Sequence, residues 1–148
     1  MKVLVLGASG MVGSAFFQEM TRRKWDVWAG LRKSSGDYEA YFQKAQVVEN
    51  LNATKWELIE NALKQLKPDV VVNAAGVTLR KPEIKDLDFS LKVNSQLPQM
   101  LKFWCQRENS YLVHMSTDCV FSGTTEAEYD ERSIPDALDI YGRTKALG

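Results

Sequence analysis

The sequence predicts an α/β fold, a doubly wound parallel sheet of five strands in the order 3-2-1-4-5. Three observations predict it. A glycine-rich turn, Gly7-Ala8-Ser9-Gly10-Met11-Val12-Gly13, stands directly behind the apolar run Val3-Leu4-Val5-Leu6 and directly ahead of a helix-forming stretch. Short β-branched runs alternate with amphipathic segments, the rhythm of βαβ units. Val70-Val71-Val72 is a continuous apolar run, as a strand covered on both faces requires. Right-handed crossovers between such units then fix the strand order.

The first strand is predicted near 2–6, the first helix near 11–23 and the second strand near 26–30. A helix or loop near 37–44 leads to a strand near 46–50 and a helix at about 55–66. Pro68-Asp69 restarts the chain into a strand at 69–74, which Asn73-Ala74-Ala75-Gly76 ends. A long helix at about 85–107 carries Phe89, Val93, Leu97, Leu101 and Trp104 at helical spacing, a face assigned to burial against the sheet. The fifth strand falls at 111–115, and the polar segment from Gly123 to Asp139 reads as a loop. No internal repeat or low-complexity tract interrupts the series.

At 148 residues, 45% hydrophobic and 26% charged, the chain has the composition of one globular domain over residues 1–148. Nineteen basic and nineteen acidic residues cancel, so no overall positive field gathers nucleic acid or an anionic membrane. No apolar stretch approaches the roughly 20 residues of a membrane helix, and the N-terminus is unlike a signal peptide, which predicts a cytoplasmic protein. Cys105 and Cys119 have neither metal-ligand nor disulfide-framework spacing and are read as packing residues, and no metal site is expected. His114, the sole histidine, lies in the apolar run Tyr111 to Met115 and is read as a satisfied core residue.

The glycine turn is built for a phosphate. A bare backbone approaches a pyrophosphate closely, the free N–H groups of the first helical turn point at it, and the helix dipole favours its charge. Gly7, Ser9, Gly10, Met11, Val12 and Gly13 are therefore candidate dinucleotide-binding residues, with Ser9 either bonding a phosphate oxygen or capping the helix. The spacing is GxxGxxG rather than GxGxxG, and its position after a strand gives it meaning. In an open parallel sheet the ligand lies at the carboxyl ends of the strands, where Ala74, Ala75 and Gly76 end strand 4 and Ser116-Thr117-Asp118 end strand 5.

Tyr141 and Lys145 are four residues apart and share one helix face. A phenol with a pKa of about 10 exchanges protons poorly near neutrality, and a neighbouring ammonium lowers it by stabilising phenolate. Lys145 is also suited to holding the ribose of a nicotinamide. After strand 2 the chain reads Leu31-Arg32-Lys33, with no acid to bond a ribose 2′-hydroxyl. Arg32 and Lys33 suit a 2′-phosphate instead, which predicts NADP(H), with NAD(H) as the second choice.

These residues resemble the extended short-chain dehydrogenase/reductase superfamily, Rossmann type, and within it the dTDP-4-dehydrorhamnose reductase group. The carriers are the Gly7 to Gly13 turn, Lys67-Pro68-Asp69-Val70-Val71-Val72-Asn73-Ala74-Ala75, Val93-Asn94 with Pro98, Met115-Ser116-Thr117-Asp118-Cys119-Val120-Phe121, and Tyr141-Gly142-Arg143-Thr144-Lys145. The resemblance implies a catalytic set in which Tyr141 is the acid/base, Lys145 tunes it and binds the nicotinamide ribose, and Thr117 bonds the reacting oxygen. It implies a nucleotide-sugar substrate, reduction of a 4-keto-deoxysugar, a place in polysaccharide biosynthesis, and dimerisation through the long helix and the Tyr141 helix. Asn94 would support the site, and Asn52 would stand near the adenine.

The sequence departs from that pattern at three places. Cys119 stands where the group often has Tyr, and Asn52 replaces an acid. The chain also stops at Gly148, three residues beyond Lys145, so the C-terminal substrate-binding part of the family is expected to be absent from it. Two alternatives remain open: a sugar-nucleotide epimerase or dehydratase of the same superfamily, and a non-catalytic NADP-binding regulatory subunit.

Overall fold

The computed structural model describes residues 1–34, 36, 39–42, 46–124 and 128–148. In chain order its elements are β1 (Lys2–Leu6), α1 (Met11–Arg22), β2 (Asp26–Gly30), α2 (Glu39–Phe42), β3 (Gln46–Val48), α3 (Trp56–Leu66), β4 (Val70–Asn73), α4 (Leu87–Leu91), α5 (Leu97–Glu108), β5 (Tyr111–His114) and α6 (Ile140–Ala146). All strand pairs are parallel and the order is β3-β2-β1-β4-β5, as the sequence predicts. Of the segment predicted near 37–44, residues 37, 38, 43 and 44 lie outside the described residues.

Side chains on a strand alternate between faces, and β1 uses both faces for core. Val3 and Val5 join Val27, Ala29, Leu31, Phe17 and Phe42 on one side of the sheet. Leu4 and Leu6 join Ile59, Leu63, Leu66, Leu97, Leu101 and Trp104 on the other. Each such side chain, fully buried, contributes about 1.5–3 kcal/mol, so the central strand anchors both layers. Asn50 takes a left-handed φ of 60° just past β3, which ends that strand short of the predicted 46–50. Both α3 and α5 close on left-handed residues, Lys67 and Asn109, whose amides return to Leu63 and Cys105.

The predicted long helix is broken in the middle. Lys92–Gln96 is a π-helical turn between α4 and α5. Pro98 supplies a reason: it has no N–H to give, and its ring crowds the carbonyl of Asn94 four residues earlier. The extra residue per turn rotates the predicted apolar face. Leu97, Leu101 and Trp104 pack on the sheet, whereas Val93 and Phe89 turn into a separate cluster with Val77, Ile84 and Tyr141.

The turn after β1 is closed by contact with the start of α1. A Cβ added to Gly13 would stand 2.2 Å from the carbonyl oxygen of Gly7, so only glycine lets α1 begin this close to the strand. Gly13→Ala is therefore expected to destabilise the fold by about 1–3 kcal/mol, the usual cost of overpacking. Chemical denaturation of the two proteins measures this, and an unchanged midpoint would refute the contact.

Candidate functional site

A cleft of about 290 Å³ opens at the carboxyl ends of β1, β2 and β4. Its walls are Gly7, Ser9 and Gly10 from the turn, Arg32 beyond β2, Leu51, Asn52 and Ala53 beyond β3, and Ala74 to Val77 beyond β4. Lys81, Glu83, Phe89 and Val93 close the remaining side. The structure thus gathers eight sequence-predicted residues around one cavity: Gly7, Ser9, Gly10, Arg32, Asn52, Ala74, Ala75 and Gly76.

The α1 end of the cleft presents backbone amides at an uncapped helix start. Gly10 is the N-cap residue and no side chain caps the helix, so Ser9 is not a capping residue. The first-turn amides keep their donor capacity. Met11 and Val12 are exposed at the helix start, Gly13 is buried beneath it, and Arg32 and Lys33 are exposed beyond the second strand. Asn52 folds its side-chain oxygen back onto Thr54, accepting from the Thr54 amide at 3.0 Å and its hydroxyl at 2.9 Å.

Asn94 lies beneath the cleft floor. It is fully buried, accepts from the Val77 amide at 2.9 Å, and donates to the Val77 carbonyl and to Thr144 Oγ1, both at 3.0 Å. Ser95 adds a hydroxyl bond of 2.7 Å to the Thr144 carbonyl. The π turn therefore fastens α6 to the loop after β4. α6 starts on an Asp139 side chain that accepts from the Gly142 amide, and Gly142 permits close docking. A Cβ there would lie 2.2 Å from the Cys119 carbonyl oxygen.

Tyr141 is half-buried, and its ring packs against the cluster of Val77, Ile84 and Val93. Val77 and Val93 also line the cleft, so Tyr141 stands behind a shared apolar wall. Among the described residues none hydrogen-bonds its hydroxyl. Thr117 caps the turn after β5: its hydroxyl oxygen accepts from the Cys119 amide at 3.2 Å.

Lys145 is buried, and its amine reaches not Tyr141 but β5. It donates to the carbonyl of Met115 and lies 3.2 Å from His114 Nε2. His114 Nδ1 in turn meets Asn73 Nδ2 at 3.1 Å, and Asn73 Oδ1 accepts from the Ala75 amide at 3.2 Å. Burial lowers the Lys145 pKa. Burial first, and the adjacent Lys145 second, pull the His114 imidazole down to about 4.

His114 is satisfied as expected, at both ring nitrogens, though half-buried; sequence reasoning did not single out its link through Asn73 to the loop after β4. A signal existed: Asn73 and His114 both end their strands, and once strands 4 and 5 are neighbours in parallel register, they fall opposite one another. Glu83 was also missed, and its buried Oε2 has no partner among the described residues. Among the described residues no cluster of side chains suits a metal ion, and no helix is long and apolar enough to cross a membrane.

A family profile described as the RmlD substrate binding domain matches residues 1–148. The chain belongs to that family. It is 29% identical over 147 residues to a dTDP-4-dehydrorhamnose reductase of Aggregatibacter actinomycetemcomitans, covering 99% of this chain and 45% of that protein. It is 27% identical over 150 residues to methionine adenosyltransferase 2 subunit beta of Rattus norvegicus, covering 99% of this chain and 41% of that one. A hypothetical dTDP-4-dehydrorhamnose reductase from Sulfolobus tokodaii superposes with a TM-score of 0.80 at 27% identity, over 100% of this chain and 50% of its own. The chain therefore spans less than half the length of the two curated relatives and half that of the Sulfolobus protein, and the resemblance expected from the motifs holds at the level of family and fold.

The His114 shift has a consequence for stability. The unfolded imidazole takes its proton near the ordinary 6.5, the folded one only near 4, so below 6.5 the unfolded chain binds more protons. Stability is expected to fall as pH drops from about 6.5 to about 4 and to lose this dependence below that. Denaturation across that window, with His114→Gln as the reference, measures the difference. Parallel curves for the two proteins would remove the effect.

Proposed function

We propose that the chain binds NADP(H) in the cleft and forms the coenzyme and acid–base part of a reductase of a 4-keto-deoxysugar nucleotide. The observation that carries this reading is the single cavity on which the glycine turn, the end of β4, Arg32 and the wall in front of Tyr141 converge. The residues present fit such a coenzyme. An uncapped helix start faces the cleft with donors for a diphosphate, and Arg32 offers a guanidinium for a 2′-phosphate.

In this reading the turn from Gly7 to Gly13 holds the diphosphate, Arg32 and Lys33 the 2′-phosphate, and Asn52 the adenine side. Ala74 to Gly76 border the nicotinamide half, and Asn94 braces the floor under it. When bound, the nicotinamide supplies hydride to the ketone carbon. Tyr141 gives its phenolic proton to the ketone oxygen, and Thr117 donates a hydrogen bond to the same oxygen. Lys145 holds the nicotinamide ribose and stabilises the phenolate left on Tyr141. The substrate is a nucleotide sugar, the compartment the cytoplasm, and the assembly a homodimer.

A second reading is favoured by one finding: a relative matched over the whole of this chain is named as a subunit of an adenosyltransferase. In that reading the cleft binds the dinucleotide without turnover and the chain serves a partner enzyme.

NADPH oxidation by the protein as its gene encodes it, with a 4-keto sugar nucleotide as substrate, separates the two. The reductase reading expects turnover that Tyr141→Phe lowers by about 10²–10⁴-fold while NADPH still binds. Binding without turnover in both proteins supports the subunit reading instead. Coenzyme choice is tested by titration: Arg32→Asp is expected to weaken NADPH by about 10- to 100-fold and leave NADH little changed. Equal affinities before and after the substitution would remove Arg32 from the phosphate site.

A further inference from the structure

We propose that Asn73 and His114 are positioning residues that park Lys145 against β5 as an uncharged amine when no dinucleotide is bound. The functional consequence rests on the reading of Lys145 as a ribose-binding residue; the hydrogen-bond chain itself does not.

The argument follows donors and acceptors. The Ala75 amide can only donate, and it faces Asn73 Oδ1 at 3.2 Å, which fixes the carboxamide orientation. Asn73 Nδ2 is then the group that meets His114 Nδ1 at 3.1 Å, so Nδ1 accepts. A neutral imidazole that accepts at Nδ1 carries its proton on Nε2. That N–H points to Lys145 Nζ at 3.2 Å. An ammonium has no lone pair to receive it, whereas an uncharged amine has one. The amine then donates to the Met115 carbonyl, and the chain closes on a backbone acceptor.

The opposite polarity fails at one link wherever it is started. A charged Lys145 donating to Nε2 would move the imidazole proton to Nδ1, against the Asn73 N–H. Turning the carboxamide to accept it would set Nδ2 against the Ala75 N–H. That polarity leaves two N–H donors facing one another at a half-buried link, an arrangement the uncharged amine avoids.

Among the described residues no other charged side chain bonds Lys145. The titratable groups on the elements packed against α6 and β5 are Glu83 and Lys85 on the turn Pro82–Lys85, Asp88 on α4, Lys92 on the π turn, Lys102, Cys105, Arg107 and Glu108 on α5, Tyr111 on β5, Asp118 and Cys119 on the following turn, and Tyr141 and Arg143 on α6, with Asp88 paired to Lys92. The Asp118 carboxylate accepts from Thr117, and Arg143 donates to the Ala137 carbonyl. Among the described residues no carboxylate pairs with Lys145 or His114.

Lys145 must leave His114 to reach a ribose, and beside a coenzyme carrying phosphates it regains its proton. Dinucleotide binding is therefore coupled to uptake of about one proton and weakens as pH rises.

Asn73→Asp tests this with an isosteric change. A carboxylate at that position still accepts from Ala75 but also accepts from Nδ1, so the polarity reverses and Lys145 becomes an ammonium donating to Nε2. His114 is the single histidine of the sequence, so long-range ¹H–¹⁵N correlations of the labelled chain report its tautomer without ambiguity. The expected result is the Nε2–H form in the wild type and the Nδ1–H form in Asn73→Asp. An Nδ1–H or doubly protonated ring in the wild type, or no change in the variant, overturns the proposal.

Calorimetry of NADPH binding in buffers of different ionisation enthalpy then counts protons. Uptake of about one proton by the wild type that disappears in Asn73→Asp supports the coupling, and equal uptake by both overturns it. An Nε2–H ring in a chain that binds neither NADPH nor NADH defeats the coenzyme reading while leaving the hydrogen-bond chain standing. His114→Gln, whose side-chain oxygen accepts from an ammonium, gives an independent check on the loss of uptake should Asn73→Asp fold poorly.

Discussion

A single carboxamide with no exposure to water holds the site together. Asn94 engages both the N–H and the C=O of Val77 and one hydroxyl of α6, so three separately folded pieces share one fixed point. These are the loop after β4, the π turn and the helix that bears Tyr141 and Lys145. Each of the bonded groups is buried, and each would be left unpaired without Asn94, at about 1–3 kcal/mol apiece. The apolar cluster of Val77 and Val93, which lines the cleft and against which Tyr141 packs, is placed by this same contact.

The sheet supplies the other half of the geometry. β1 is core on both faces, which leaves its carboxyl end as the place where the backbone must turn with little side-chain cover. Gly13 lets α1 begin against that turn, and the helix starts without a side-chain cap. The result is a set of donors on a rigid strand end rather than on a loose loop. β5 ends level with β4, so Asn73 and His114 can meet across the ladder and reach the amine on α6. Rigid backbone registers thus place two unlike sets of groups, uncapped backbone amides and a chain of polar side chains, at the carboxyl end of one sheet.

Nearly all of the fold was legible in the sequence, because its signals are local and periodic. The glycine turn after Val3 to Leu6, the buried Val70-Val71-Val72 run and the alternation of segments each follow from short-range rules. Residues that line the cleft through backbone position, such as Gly10 and Ala75, were legible for the same reason. The hydrogen-bond partners of Lys145 were not. Its spacing from Tyr141 suggests a shared face, yet the direction of its amine depends on an imidazole 31 positions earlier in the chain. His114 read as core because its neighbours are apolar, and a half-buried polar side chain at a strand end looks no different in a sequence from a fully buried one.

The π turn shows why a helical face drawn from periodicity can be right in existence and wrong in direction. Phe89, Val93, Leu97, Leu101 and Trp104 satisfy one stripe only if every turn has the same number of residues. Pro98 withdraws one N–H and crowds the Asn94 carbonyl, and the chain answers with one wider turn over Lys92–Gln96. That change sends Val93 toward Tyr141 while Leu97 stays on the sheet. It also seats Asn94 and Ser95 facing Thr144, where each bonds it. The irregularity is therefore not a flaw in a core helix. A regular helix through these residues would keep Val93 in line with Leu97 and would carry Asn94 out of line with Val77, so the same proline that interrupts the helix lets the site be fastened.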